Sequence, residues 1–338
     1  MTHNAPLSPR PLGRLDHLTG SRRRVLTARA LREHGVTTAA AGSRCRPGGP
    51  WQMLLPGVYL LHPGPPTSED RLRAALLYAQ RRTVPAQAGP GRTSAASSGT
   101  GAPDAMVTGL AALALHGFDC APALTSLERI DVLLPRTRRL RSVGCAHIVR
   151  TQHLPQPVHI TGLPVAPAVR ALTDAVQELA DPVTVRRLMT EAVRGGHCDP
   201  QEVLEELGRE RLLVRPQIAD AADTLVAEAR ALAEGDLYAA VFAGRLPDPC
   251  WNVRLRLPGG PQLADVDAYW PGHAVAAVLP GGDDALRRET LEGLGVTVVV
   301  VAPQTGHDDL ARQAAVLRTA LMAAEDREPA AYVEVLPR

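Results

Sequence analysis

The sequence predicts a multi-domain α/β protein, and three observations predict it. Its 338 residues, 45% of them apolar, are enough for about two or three hydrophobic cores in a folded globular chain. Near the start, two short helical patterns are followed by two β-prone runs. In the last third, helical patterns alternate with short apolar strands, as in a sheet with helices on its faces.

Residues 1–18 read as a Pro-rich, disordered tail. From Arg22 to His34, RRRVLTARALREH has Val25, Leu26, Ala30 and Leu31 at helical spacing and stops at Gly35, where a helix C-cap belongs. A second short helix follows, with Thr37 as its N-cap. WQMLLPGVYLLHP then gives two β-prone runs hinged at Pro56 and Gly57, a hairpin signal. Helix, turn, helix, hairpin is the order of a winged helix, so residues 19–65 are expected to form one.

Residues 66–216 read as an α+β middle domain. EDRLRAALLYAQR (69–81) is an amphipathic helix, and residues 82–104, rich in Gly, Ser, Ala and Pro, are expected to be a flexible insertion. AMVTGLAALALHGF (105–118) is expected to be one apolar helix ending at Gly117. RIDVLLP (129–135) and CAHIVRT (145–151) read as strands, and three helices fill 165–213, the last opened by Asp199 and Pro200 as N-cap and N1. Residues 217–330 form the third domain. It holds a helix at 223–244, strands at 251–258, 262–270 and 273–279, a helix at 283–295, the buried strand VTVVVVA, and a helix at 308–326. That order gives an α/β sandwich with a mixed sheet.

The net charge of +2 hides an asymmetry. Residues 1–82 carry thirteen Arg against four acids, a balance of +9, whereas residues 217–338 carry ten Arg against eighteen acids, a balance of −8. The basic end is the one suited to phosphate. All 37 basic residues are Arg, so no lysine chemistry is available. Five scattered cysteines without a C-x-x-C pair argue against a disulfide framework or a zinc knuckle, and His197 beside Cys198 is too small a set for zinc. No apolar run is long enough to cross a bilayer and no signal peptide is read at the start, so a cytoplasmic location and no membrane partner are expected. His116 reads as structural, and Trp51, Tyr59, Trp251 and Trp270 as dispersed core anchors. PGGDD lacks the Lys and Ser/Thr of a phosphate loop.

Several segments, taken in order, resemble a bacterial family. LREHGVTTAAAG, LPGVYLL and VTGLAALALHGF match the N-terminal part of AbiEi-type antitoxins of type IV toxin–antitoxin systems. IDVLLPRTRRLR through GLPVAPAVRALTDAV matches their middle part. GRLPDP, VDAYWPGHAVAAVLPGG and RRETLEGLGVTVVVV match a very-short-patch-repair-like, PD-(D/E)XK endonuclease domain. The resemblance implies an N-terminal winged helix, an AbiEi-like middle domain and a C-terminal restriction-endonuclease-like mixed sheet. It also implies repression of the chain's own operon and a nucleotidyltransferase-type toxin as partner.

An endonuclease of this kind holds a divalent metal between an acid on one strand and acids on the next. Asp265 and Asp267, two apart on a strand, share a face, and Asp267 matches the family's first aspartate. Val278 stands at the position of the family's glutamate and Pro280 at that of its second aspartate. Glu234 matches a further family acid. Asp265, Asp267 and Glu234 are therefore expected to be relics, with no catalytic residue, no metal and no cofactor. A weak metal-dependent endonuclease, with Mg2+ on Asp265, Asp267 and Asp283 or Asp284, is the enzymatic alternative. An acidic interaction module that binds a basic partner is the third reading. The preferred reading is a regulator that binds double-stranded DNA. Arg22, Arg23, Arg24, Arg44 and Arg46 would meet phosphates, while Thr38 and Ser43 on the second helix would meet base edges.

Overall fold

The protein is mixed α/β. The computed structural model describes residues 24–81, 104–280, 284–301, 307–324 and 333–338. Among them are ten α-helices and three sheets. They divide into two compact units: the residues up to Leu188 with Glu205–Leu212, and Met189–Leu204 with Leu213–Arg338.

The first unit opens with β1 (Val25–Thr27), α1 (Ala28–Glu33), α2 (Thr38–Arg44), β2 (Gln52–Leu55) and β3 (Val58–Leu60). The strands form an antiparallel sheet with β3 in the centre. Residues 25–27 are thus a strand, where the sequence pattern reads a helix from Arg22. Val25 pairs with Leu60 and Thr27 with Val58. Thr27 then ends the strand by capping α1, its Oγ1 accepting from Ala30 N at 3.1 Å. Here ladder hydrogen bonds and the burial of Val25 and Leu26 outweigh helical periodicity.

α3 (Ser68–Ala79) begins with a reciprocal capping box between Thr67 and Asp70. The second sheet is mixed, in the order β6-β5-β4-β8-β7, with β4 (Met106–Thr108), β5 (Ile130–Pro135), β6 (Ala146–Thr151), β7 (Val158–Ile160) and β8 (Leu163–Val165). The segment expected as a single apolar helix is therefore split: Met106–Thr108 is the central strand, and α4 occupies Gly109–His116. Gly109 makes the break. Its φ of +63 is open to glycine at little cost, and a Cβ there would sit 2.6 Å from Asp131 Oδ2.

α5 (Ala168–Glu178) is held to β4 and to the 205–212 segment by buried polar contacts. Thr108 Oγ1 donates to Asp174, and Arg170 Nη2 donates to Asp174 Oδ1 at 2.7 Å. Arg170 Nη1 donates to Glu206 Oε1 at 3.0 Å and also to Glu210. Burial alone would lower the pKa of Arg170. The charges of Asp174 and Glu210 more than reverse that and keep the guanidinium protonated. α6 (Pro182–Arg194) and α7 (Pro200–Arg209) follow, and the Asp181 and Asp199 carboxylates accept from the first backbone N–H groups of each.

The second unit holds α8 (Pro216–Ala243), β9 (Cys250–Arg256), β10 (Gln262–Trp270), β11 (Val275–Val278), α9 (Asp284–Glu292), β12 (Thr297–Val300), α10 (His307–Ala324) and β13 (Glu334–Pro337). Its sheet runs β12-β11-β10-β9-β13 and is antiparallel except where β11 meets β12, the two joined through α9. Leu237 and Val241 of α8 and Leu317 and Leu321 of α10 cover one face, against Trp270 and Val275. Leu291 of α9 packs on the other, against Val266 and Val278. No helix among the described residues is long and apolar enough to cross a membrane.

Replacing Arg170 by Met leaves Asp174 buried without its cation and takes from Glu206 one of two arginine partners, the other being Arg209. It is expected to cost about 3–5 kcal/mol in urea denaturation. Replacing Arg29, whose ion pair with Glu33 is well exposed, is expected to cost under about 1 kcal/mol.

Candidate nucleic-acid interface and carboxylate cluster

In the first unit two threonines set the two short helices. Thr27 caps α1, and Thr37 Oγ1 accepts from Ala40 N at 3.2 Å to cap α2. Between them Gly35, at φ +79, lets Val36 N reach Leu31 O at 2.9 Å and turns the chain. α2 buries Ala41 among Leu26, Leu31, Val36, Trp51, Tyr59 and Leu61. With Ala41 turned inward, Thr38 and Ser43 stand exposed on the outside.

The arginines divide into three groups. Arg24 and Arg46 are exposed, one directly before β1 and the other just after α2. Arg44 is half-buried, with its guanidinium 4.5 Å from the centre of the Trp51 ring and Nη1 buried without a hydrogen-bond partner. It is a packing residue as much as a surface cation. Arg22 and Arg23 lie outside the described residues. The loop beyond α2 is tied to the helix end, since Trp51 N donates to Arg44 O at 3.1 Å. A Cβ on Gly49 would meet that oxygen at 2.2 Å. Met53 on β2 is 58% exposed, a feature that the alternation of its strand did not announce.

In the second unit the three candidate acids each have protein partners. Asp267 is 4% exposed. Its Oδ1 accepts from Arg230 Nη2 of α8 at 2.6 Å, and its Oδ2 accepts from Leu279 N at 2.7 Å. Asp265 Oδ1 accepts from Arg254 Nε at 3.2 Å and from Gln262 Nε2 at 3.0 Å. Arg338 reaches both carboxylates, at 3.4 Å from Asp265 Oδ2 and 3.5 Å from Asp267 Oδ1. The two aspartates therefore share a side, and a guanidinium lies between them. Glu234 Oε1 accepts from Asn252 Nδ2 at 3.2 Å. Val278 and Leu279 are core residues. Asp283 lies outside the described residues, and of Asp284 only the helical backbone is described.

This arrangement is a closed ion-pair cluster. A divalent cation needs several converging oxygens, whereas on Asp267 one oxygen accepts from Arg230 and the other from a backbone N–H, with Arg338 3.5 Å away. Among the described residues no group of three or more His, Cys, Asp or Glu is placed to hold a metal. His116 Nε2 donates to Ala166 O at 2.8 Å, a contact that anchors the end of α4. Burial, with the charges of Glu202 and Asp199 adding to it, pushes the Cys198 thiol up to about 12, so it is a poor nucleophile.

No family model and no curated protein matches the chain. Among solved structures it is similar to the crystal structure of the RV2827C protein from Mycobacterium tuberculosis. The identity is 19% and the TM-score 0.40, over 63% of this chain and 75% of that one. A likeness of that size shows neither a shared fold nor a shared function.

Replacing Asp267 by Ala leaves the buried Leu279 N–H unsatisfied and is expected to cost about 2 kcal/mol in urea denaturation. Magnesium is expected to leave the wild-type denaturation midpoint where it is, and an upward shift would show that the carboxylates hold a cation. At pH 8.5 iodoacetamide is expected to alkylate Cys198 far more slowly in the folded protein than in the urea-unfolded chain, as read by peptide mass spectrometry.

Proposed function

We propose that the chain is a DNA-binding transcriptional regulator. In this reading its N-terminal segment is a winged helix that contacts double-stranded DNA, and its C-terminal α/β unit is a catalytically silent relative of PD-(D/E)XK endonucleases. The observation that carries the proposal is the exposed face of α2. Thr38 and Ser43 project from a helix that follows a tight turn, and the exposed Arg24 and Arg46 lie near its unit's first strand and at its own end. A short helix presented this way, with cations beside it, suits entry into the major groove with phosphate contacts at its flanks.

Two further observations support the reading. The element order β1-α1-α2-β2-β3, with β3 central in an antiparallel sheet, is the arrangement expected of a winged helix. The charge balance places +9 in residues 1–82 and −8 in residues 217–338, which favours phosphate at the first end only. The silence of the second unit rests on Arg230 and Arg338 occupying Asp267, and on Val278 standing where an acid would be needed. By its resemblance to AbiEi-type antitoxins the regulator would repress its own operon and neutralise a nucleotidyltransferase-type toxin. Neither task requires a cofactor of this chain.

The test is binding of the full chain to its own upstream DNA across a salt series, with and without magnesium. Affinity is expected to fall steeply with salt, and Arg46→Ala is expected to lower the log–log slope by about 1. Asp267→Asn is expected to leave the affinity unchanged. Absence of binding at low salt would overturn the regulator, and magnesium-dependent strand cleavage lost in Asp267→Asn would restore the endonuclease.

A further inference from the structure

Aromatic residues make up only 3% of the chain, with two Phe in all. One of those two, Phe242, is 88% exposed, an unusual position for a side chain that large and apolar. It lies four residues beyond Tyr238 on α8, so the two rings share a helix face. Tyr238 stacks on Trp251 with ring centres 4.0 Å apart and planes tilted by 33°. Trp251 was expected to be a core anchor, but it is only partly buried and lines an open cleft of about 850 Å³ together with Tyr238 and Phe242. Three aromatic residues of a chain poor in them therefore meet at one surface site.

We propose that this cleft binds a cationic side chain, a guanidinium or an ammonium, presented by a basic polypeptide. Ring faces are the negative side of the aromatic quadrupole, and a cation held over several of them is attracted more strongly as it loses water. Carboxylates stand nearby. Asp248 lines the cleft, and Glu234, one helical turn before Tyr238, is bonded to Asn252 beside Trp251. Residues 217–338 as a whole carry the −8 balance, which draws cations toward this part of the chain before contact. Among the described residues, Arg245 is the one basic residue lining the cleft. Its charge opposes such a ligand, and that opposition gives the test a sign.

Trp51 and Trp270 are buried, at 8% and 2% exposure, so Trp251 is the tryptophan open to a ligand. The full chain is titrated with hexa-arginine amide, and with hexa-glutamate as the opposite charge, while tryptophan fluorescence is followed. Saturable quenching by hexa-arginine alone is expected. Phe242→Ala, which removes no charge and no core contact, is expected to weaken the affinity about tenfold, and Arg245→Glu to tighten it. Binding unaltered in Phe242→Ala would mean general attraction to an acidic surface and would overturn the site. Weaker binding in Arg245→Glu, quenching by hexa-glutamate, or no saturable response would overturn the cationic ligand. DNA binding is expected to be unchanged in Phe242→Ala, so the fate of this proposal is read separately from that of the regulator.

Discussion

The second unit depends on one buried carboxylate. Asp267 lies on the central strand of its sheet and draws together three elements that are remote in sequence. Arg230 comes from the long helix α8, the Leu279 N–H from just beyond β11, and Arg338 from just beyond β13. A buried charge is tolerable only when it is paired and hydrogen-bonded, and here Arg230 and the Leu279 N–H each donate to one oxygen, with Arg338 adding its charge. Through these contacts the position joins α8, the end of β11 and the end of β13. A second acid at Val278 would have to compete with Arg230 for this carboxylate.

The first unit solves a comparable problem with Arg170, where the charge at the centre is positive and the carboxylates surround it. Among the described residues, the three-stranded sheet of the same unit shows no such cluster. Its core is apolar, and its helices are fixed by the Thr27 and Thr37 caps and by glycine turns. That economy leaves the outer side of α2 without structural duty. A surface with no duty in folding can carry short polar residues such as Thr38 and Ser43, and the proposed DNA contact rests on it.

The parts legible in the sequence were those set by local rules. Thr37 as a cap, the hairpin at Pro56 and Gly57, the strand carrying Asp265 and Asp267, and the long helices all follow from short-range periodicity and capping chemistry. The three-residue strands at Val25–Thr27 and Met106–Thr108 did not, because each borders a helix whose apolar spacing extends through it, and only pairing with Val58–Leu60 or Ile130–Pro135 makes the strand. β13 lay beyond the last expected domain, at 217–330, and owes its place to a ladder with β9. Of the carboxylate cluster, the acids were legible and their cations were not. Arg230 is 37 positions from Asp267, and nothing along the chain announces a pairing at that distance. The exposure of Trp251 was hidden for a related reason, since residue type suggests burial and only the fold decides which side of a sheet remains open.

The ladder between β9 and β13 has a consequence for synthesis on the ribosome. Arg256 of β9 finds its ion-pair partner Glu334 only 78 positions later. At a translation rate of about 5–20 residues per second, β9 therefore waits several seconds with one edge unpaired. During that wait it carries a row of open hydrogen-bonding groups, which any other extended segment in reach can occupy. The charged residues along it, Arg254 and Arg256, are then more than later partners for Asp265 and Glu334. While the nascent strand is open they keep it hydrated and discourage its pairing with a neighbouring copy on the same messenger.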